Sequence, residues 1–301
     1  MSGTDSRREL RFALDQGYAE APPVELSERV RREARLARAP GSPIDAVDPA
    51  TGADTYRRAV AAMDTTLGEL TRPDWSRPAI RDLDVQGLIG HLIGVESAFI
   101  ESLSDRAGPS DPDHVGSTQR AVSEQSGRPP AATIVDWRVL TSRVSVRVSA
   151  LTPDKPVHFY GFELPLDQML VVRAFEMWVH EEDIRRATGR SLNPPAAAPL
   201  ASMSRLAVTL LPLALRQAGK ARDRRSVRLV LTGPAGGVWD VPYGAEPGDS
   251  SGSLATVVVD ATEFCRVVGN RLSQADTGTW MGGDLEAAGD LLSAASTLAL
   301  D

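Results

Sequence analysis

From residue 52 onward, apolar residues recur at intervals of three and four. Tyr56, Val60, Met63, Leu67 and Leu70 form one stripe, the spacing of a helix that buries one side. Two prolines in RPDWSRP interrupt it. A second helical pattern covers about 82–103, and the polar stretch DRAGPSDPDHVGS after it reads as a loop. A third covers about 131–151, with Ile134, Trp137, Leu140, Val144, Val148 and Leu151 on one face. A fourth covers about 165–188 and stops at Gly189, a residue common just past helix ends. Four amphipathic helices of this length predict a four-helix bundle.

The linker SLNPPAAAP then marks a boundary, and one more helix is expected over about 198–218. After it the period changes. SVRLVLTG, GGVWDVPY and ATVVVD alternate as strands. ATEFCRVVGNRL reads as a helix capped by Asp260, with Glu263 placed for a capping box, and GDLEAAGDLLSAASTLA as a last helix. Residues 1–50 contain a helical segment poor in bulky apolar residues, PVELSERVRREARLARA, and a proline-broken linker. They read as an appendage, with a partner-binding helix as the alternative. The expected organisation is an extension at 1–50, a bundle at 51–192 and a small α+β domain at 193–301, with no internal repeat.

Composition narrows the function. The net charge of -7 over 301 residues argues against non-specific nucleic-acid binding. The polar N-terminus lacks a signal-peptide core, and no apolar run is read as a membrane span, so a cytoplasmic protein without membrane contact is expected. Cys265 is the sole cysteine, which excludes an intrachain disulfide and a cysteine-based zinc site. Its apolar setting, FCRVV, predicts a buried structural role. Any metal must then use His, Asp or Glu, and there are four histidines: His91, His114, His158 and His180.

The stretch RAFEMWVHEED concentrates that chemistry. With Arg173 at zero on a helical wheel, Glu176, His180 and Asp183 fall at about 300°, 340° and 280°. Apolar rows flank this stripe on both sides, whereas Glu181, Glu182, Arg185 and Arg186 occupy the opposite arc, expected to face water. The stripe therefore points inward, where charges need pairing or a cation. His91 also faces inward. It lies between Leu88, Leu92, Val95 and Phe99 on one side and Gly87, Gly94 and Ala98 on the other. Those small residues allow close helix packing or leave room beside a ligand group. Two readings stand at this level: a metal-free Arg–Glu–His–Asp network, or a His2Glu site with open coordination positions. Asp183 is placed to fix the His180 tautomer, and Arg173 to pair with Glu176 or an anionic substrate group. His114 and His158 read as loop or surface residues.

The motif IRDLDVQGLIGHLIGVES, with Trp75 ahead of it, resembles the second helix of the DinB-like superfamily, specifically of mycothiol-dependent maleylpyruvate isomerase proteins. VVRAFEMWVHEEDIRRATG is similar to that family's R-x-x-E-x-x-x-H-x-x-D motif, and VRLVLTGPAGGVWDVP with VDATEFCRVVGNRL to its C-terminal, sterol-carrier-like domain. The resemblance spans about 52–301. It implies a DinB-like four-helix bundle followed by a small α+β domain, and a divalent metal, zinc first, on His91, Glu176 and His180. It also implies mycothiol as thiol cosubstrate. An arginine from the C-terminal domain is implied at the active site to hold a substrate carboxylate. Arg271 is the first candidate and Arg266 the second, because the chain reads GNR where the family pattern reads GR.

The expected function is a metal- and mycothiol-dependent S-transferase or cis–trans isomerase acting on a small electrophile. The alternatives are a non-catalytic regulatory protein binding a metal or small ligand, and a metal-dependent hydrolase on the same bundle. The hydrolase would need Asp183 as its base.

Overall fold

The computed structural model describes residues 47–104, 114–222, 224–243 and 253–299. The described residues belong to one compact unit, Ala46–Asp301. The N-terminal helix expected from the sequence lies outside the described residues.

Helices α1 (Gly52–Glu69), α2 (Val85–Ser102), α4 (Pro130–Ser149) and α5 (Leu166–Ala187) form the bundle, with a shorter helix, α3 (His114–Gln125), laid against α2. Their starts follow from capping chemistry. The Thr51 hydroxyl accepts the Asp54 amide at the head of α1, and Asp84 accepts the Gly87 amide at the head of α2. The stripes predicted for α1 and α4 bury Tyr56, Met63 and Leu67, and Trp137, Leu140 and Val144.

The polar stretch read as a loop ends in α3, a fifth helix of the bundle. Glycines on α2 admit it. A Cβ on Gly90 would lie 2.9 Å from the Val122 Cα, and one on Gly94 would lie 3.0 Å from the Thr118 Cβ. The small residues of α2 thus serve close packing. Gly90→Val is expected to cost about 1–3 kcal/mol by forcing α3 outward, and urea unfolding measures it. A stability equal to wild type would refute the packing.

Two hairpins add to the elements expected from the sequence: β1 (Pro78–Ile80) with β2 (Leu83–Asp84), and β3 (Pro156–Phe159) with β4 (Phe162–Pro165). The second turns on Tyr160 and Gly161, both at positive φ, the conformation a tight two-residue hairpin requires.

After α6 (Ala197–Gln217) come β5 (Ser226–Thr232), β6 (Gly237–Pro242), β7 (Ser253–Asp260), α7 (Ala261–Val268), β8 (Trp280–Gly283) and α8 (Leu285–Ser296). The sheet order is β6-β5-β7-β8, with β5 and β7 parallel and the outer pairs antiparallel. Alternate residues, Val227, Leu229 and Leu231 with Val257 and Val259, are buried. β8 is a fourth strand beyond the three expected. The fold class is helical bundle plus α+β, as the sequence predicts. Asp260 caps α7 by accepting the Thr262 and Glu263 amides, but Glu263 does not close a capping box; it accepts the Gly278 amide instead.

Helix α6 is long and apolar enough, by length and composition, to cross a membrane. In the fold it packs against α1, α5, α7 and α8, burying Leu200, Met203, Leu211 and Leu215.

Candidate metal centre

Helices α2 and α5 bring His91, Glu176 and His180 together, each offering a ligand atom within 4.8 Å of the others. All three side chains are buried. The His91 Nε2 stands 3.5 Å from the Glu176 Oε1, and the two imidazoles meet edge to face with centroids 5.4 Å apart.

The surrounding hydrogen bonds assign the tautomers. The His91 Nδ1 is 2.8 Å from the Thr118 hydroxyl, which gives its own proton to the Val115 carbonyl. That arrangement favours the hydroxyl as acceptor from Nδ1–H. The His180 Nδ1 is 3.1 Å from an Asp183 oxygen. Burial alone would raise the Asp183 carboxyl, but hydrogen bonds from His180 and Arg271 outweigh it and hold the group below the usual carboxylate range. Asp183 is thus ionised and accepts. With Nδ1 of each imidazole turned to these partners, Nε2 is the ring nitrogen left for the cluster. Two nitrogen lone pairs converging with a carboxylate form a donor set that suits a divalent cation.

Further shells hold these donors in place. Arg173, fully buried on α5, donates to Glu176 and, at 2.8 Å, to Glu96 of α2. The Tyr56 hydroxyl donates to the other Glu96 oxygen at 2.9 Å. Burial first, then the Glu96 charge, lifts the Tyr56 hydroxyl well above its ordinary value, which keeps it a donor. Arg271 lies just beyond α7 and grips Asp183 through Nε and Nη2, each at 2.8 Å.

Arg266 forms a comparable pair with Glu182, which also accepts from Arg186. The two arginines proposed for a substrate carboxylate are thus placed on carboxylates of α5. The arc of α5 expected to face water is mostly buried: Glu181, Glu182 and Arg185 are inside, and Arg186 alone is exposed. Glu181 accepts from Thr66 and Arg185. Helix α5 is in contact with α1, α2 and α6, and Thr66 of α1 and Arg266 of α7 cover Glu181 and Glu182 on the arc expected to be wet.

His158 sits exposed on β3, 2.6 Å from Glu163. His114 opens α3. Cys265 is buried against Ser204, and burial pushes its thiol up to about 12. Ellman's reagent is expected to modify the native protein at least ~100-fold more slowly than the urea-unfolded chain. Equal rates would place Cys265 at the surface.

Glu96, Thr118 and Arg81 escape a reading of the sequence alone. Glu96 is the sole acid in 85–100, an isolation that marks it. Thr118 lies on the helix hidden behind the polar stretch. Arg81 holds a positive φ in the β1–β2 turn and lines a cleft of ≈ 350 Å³ into which His91 and His180 open.

A helical bundle with a buried His–Glu–His cluster, continued by a small α+β part, defines the class. Residues 56–185 match the mycothiol maleylpyruvate isomerase N-terminal domain. Two uncharacterized proteins of Mycobacterium tuberculosis, from strains CDC 1551 and H37Rv, are 24% identical over 216 residues, 69% of this chain and 80% of theirs. The crystal structure of the mycothiol-dependent maleylpyruvate isomerase superposes with a TM-score of 0.54 at 15% identity, over 76% of this chain and 91% of that one. A histidine-to-alanine mutant of that enzyme superposes with a TM-score of 0.52.

Proposed function

We propose that the protein is a metal- and mycothiol-dependent transferase or isomerase acting on a small electrophile. In this reading the metal-binding bundle occupies 51–192 and the α+β domain 193–301. The observation that carries the reading is the convergence of the His91, Glu176 and His180 donors, with Nδ1 of each imidazole engaged by a neighbouring side chain. The match of residues 56–185 to the mycothiol maleylpyruvate isomerase N-terminal domain supports mycothiol as the thiol. When bound, a divalent metal, zinc first, lowers the pKa of a thiol so that a thiolate able to add to an activated carbon exists at neutral pH.

The chain's own residues do the rest. Thr118 and Asp183 fix the imidazole orientations. Arg173 aims Glu176 and is itself braced by Glu96 and Tyr56. Arg271 keeps Asp183 ionised and in place. This last pairing weighs against the hydrolase alternative, whose general base would be Asp183, since a carboxyl held below its usual range is a poor base near neutrality. Arg81 and Gln119, on the wall of the polar cleft, are placed to meet a polar thiol.

The test is metal analysis of the purified protein together with consumption of an electrophilic enal with and without mycothiol. Stoichiometric metal and a mycothiol-dependent rate are expected. Metal-free protein, or a rate indifferent to the thiol, would refute the proposal.

A further inference from the structure

The His–Glu–His cluster is approached from a second direction. On the wheel of α5, His180 and the pair Phe175 and Val179 lie about 100–140° apart, with Glu176 between them. The polar cleft reaches the histidines. Beyond Glu176 lies a different space, an apolar cavity of ≈ 80 Å³ walled by Val172, Phe175 and Val179 of α5, Leu206 and Leu210 of α6, and Val268 of α7. A smaller hollow of ≈ 40 Å³ shares Val172 and Leu210 with it and runs on to Phe159 and Phe162 of the β3–β4 hairpin.

Among the described residues, Glu176 is the one charged group in either lining. The cations nearest in sequence to Val268 are engaged elsewhere, Arg266 on Glu182 and Arg271 on Asp183. Gly269 ends α7 against this wall. A Cβ there would come within 2.6 Å of the Val179 Cγ1 and 3.4 Å of the Phe175 Cε1.

We infer that this cavity seats the second, thiol-accepting molecule, and that the part it binds is neutral and apolar, of the size of an aryl or short alkyl group. Two observations support this. Glu176, a member of the cluster, forms part of the cavity wall, so an occupant would sit one side chain away from the proposed site of chemistry. Its described lining offers an anion one carboxylate and no cation, which disfavours a carboxylate substrate, whereas apolar walls reward burial of apolar surface. The thiol then uses the polar cleft on the histidine side. Naming the occupant as the electrophile rests on the function proposed above; the binding preference does not.

The test separates the two. Ligand-observed NMR titration of the wild-type protein compares cinnamyl alcohol with cinnamate, which share a framework and differ in charge. The alcohol is expected to bind saturably and at least tenfold more tightly. Ala207→Trp and Leu210→Trp, which fill the cavity from α6, are each expected to weaken it tenfold or more with an unchanged far-UV circular dichroism spectrum. Ala207 is buried whereas Leu210 is half-exposed, so the second variant keeps the test decisive if the first fails to fold. Cinnamate binding as tightly as the alcohol would overturn the inference, as would undiminished binding in a folded filled variant. The titration needs neither metal nor mycothiol. A protein that fails the metal and thiol assays but shows this preference would lose the proposed function and keep the apolar site.

Discussion

Arg173→Met is expected to destabilise the protein by about 3–5 kcal/mol, the cost of breaking a buried ion pair from one side. The side chain has no exposure, and it lies between Glu96 and Glu176. Methionine fills similar volume but leaves two carboxylates facing each other without their cation. In a chain of this length the thermal midpoint falls on the order of 10 °C. Adding Glu96→Gln to the same variant removes one orphaned charge and should recover at least about 1 kcal/mol. Calorimetry on the two variants measures both effects. A midpoint within a degree of wild type for Arg173→Met would mean that the pairing contributes nothing.

His91→Ala and His180→Ala are each expected to abolish metal retention and reduce mycothiol-dependent turnover more than ~100-fold, beyond the 10–100-fold typical when only an outer-shell partner is lost. Asp183→Asn supplies that lesser case. It keeps the shape but weakens the acceptor that holds His180 Nδ1–H, so about a 10–100-fold loss of metal affinity is expected. Metal content by mass spectrometry and competition with a chelator dye rank the three. If Asp183→Asn lost as much as His180→Ala, or His91→Ala kept a full complement of metal, the donor set would be wrong. Both histidine variants should unfold closer to wild type than Arg173→Met, because removing an imidazole strands no buried charge.

The inward stripe of α5 is legible in the sequence because two apolar rows bracket Arg173, Glu176, His180 and Asp183, and helical period alone places them. Glu181 and Glu182 mislead for a related reason. A wheel shows which residues share a face, but not that a second layer covers the opposite face or that distant partners make burial tolerable. Thr66 reaches Glu181 from 115 positions away, and Arg266 reaches Glu182 from 84. No local pattern encodes such pairings. Helix α3 hides behind a run of Gly, Pro, Ser and Asp, and Thr118 with it, so the group that sets the His91 tautomer has no signal. The β3–β4 hairpin does carry one, the Tyr160–Gly161 pair between alternating residues, and it is readable in principle. Strand β8, short and glycine-rich, pairs only with β7 among the described strands and has none.

The grip of Arg271 on Asp183 joins residues 88 positions apart. Chains emerge from the ribosome N-terminus first. The bundle can therefore begin to assemble while Arg271, which holds the Asp183 partner of His180, is still unsynthesised. On the proposed function, the donor geometry around His180 is therefore complete only once residue 271 has joined the fold. Nascent chains stalled before residue 271 should exchange a bound ion faster than released protein does.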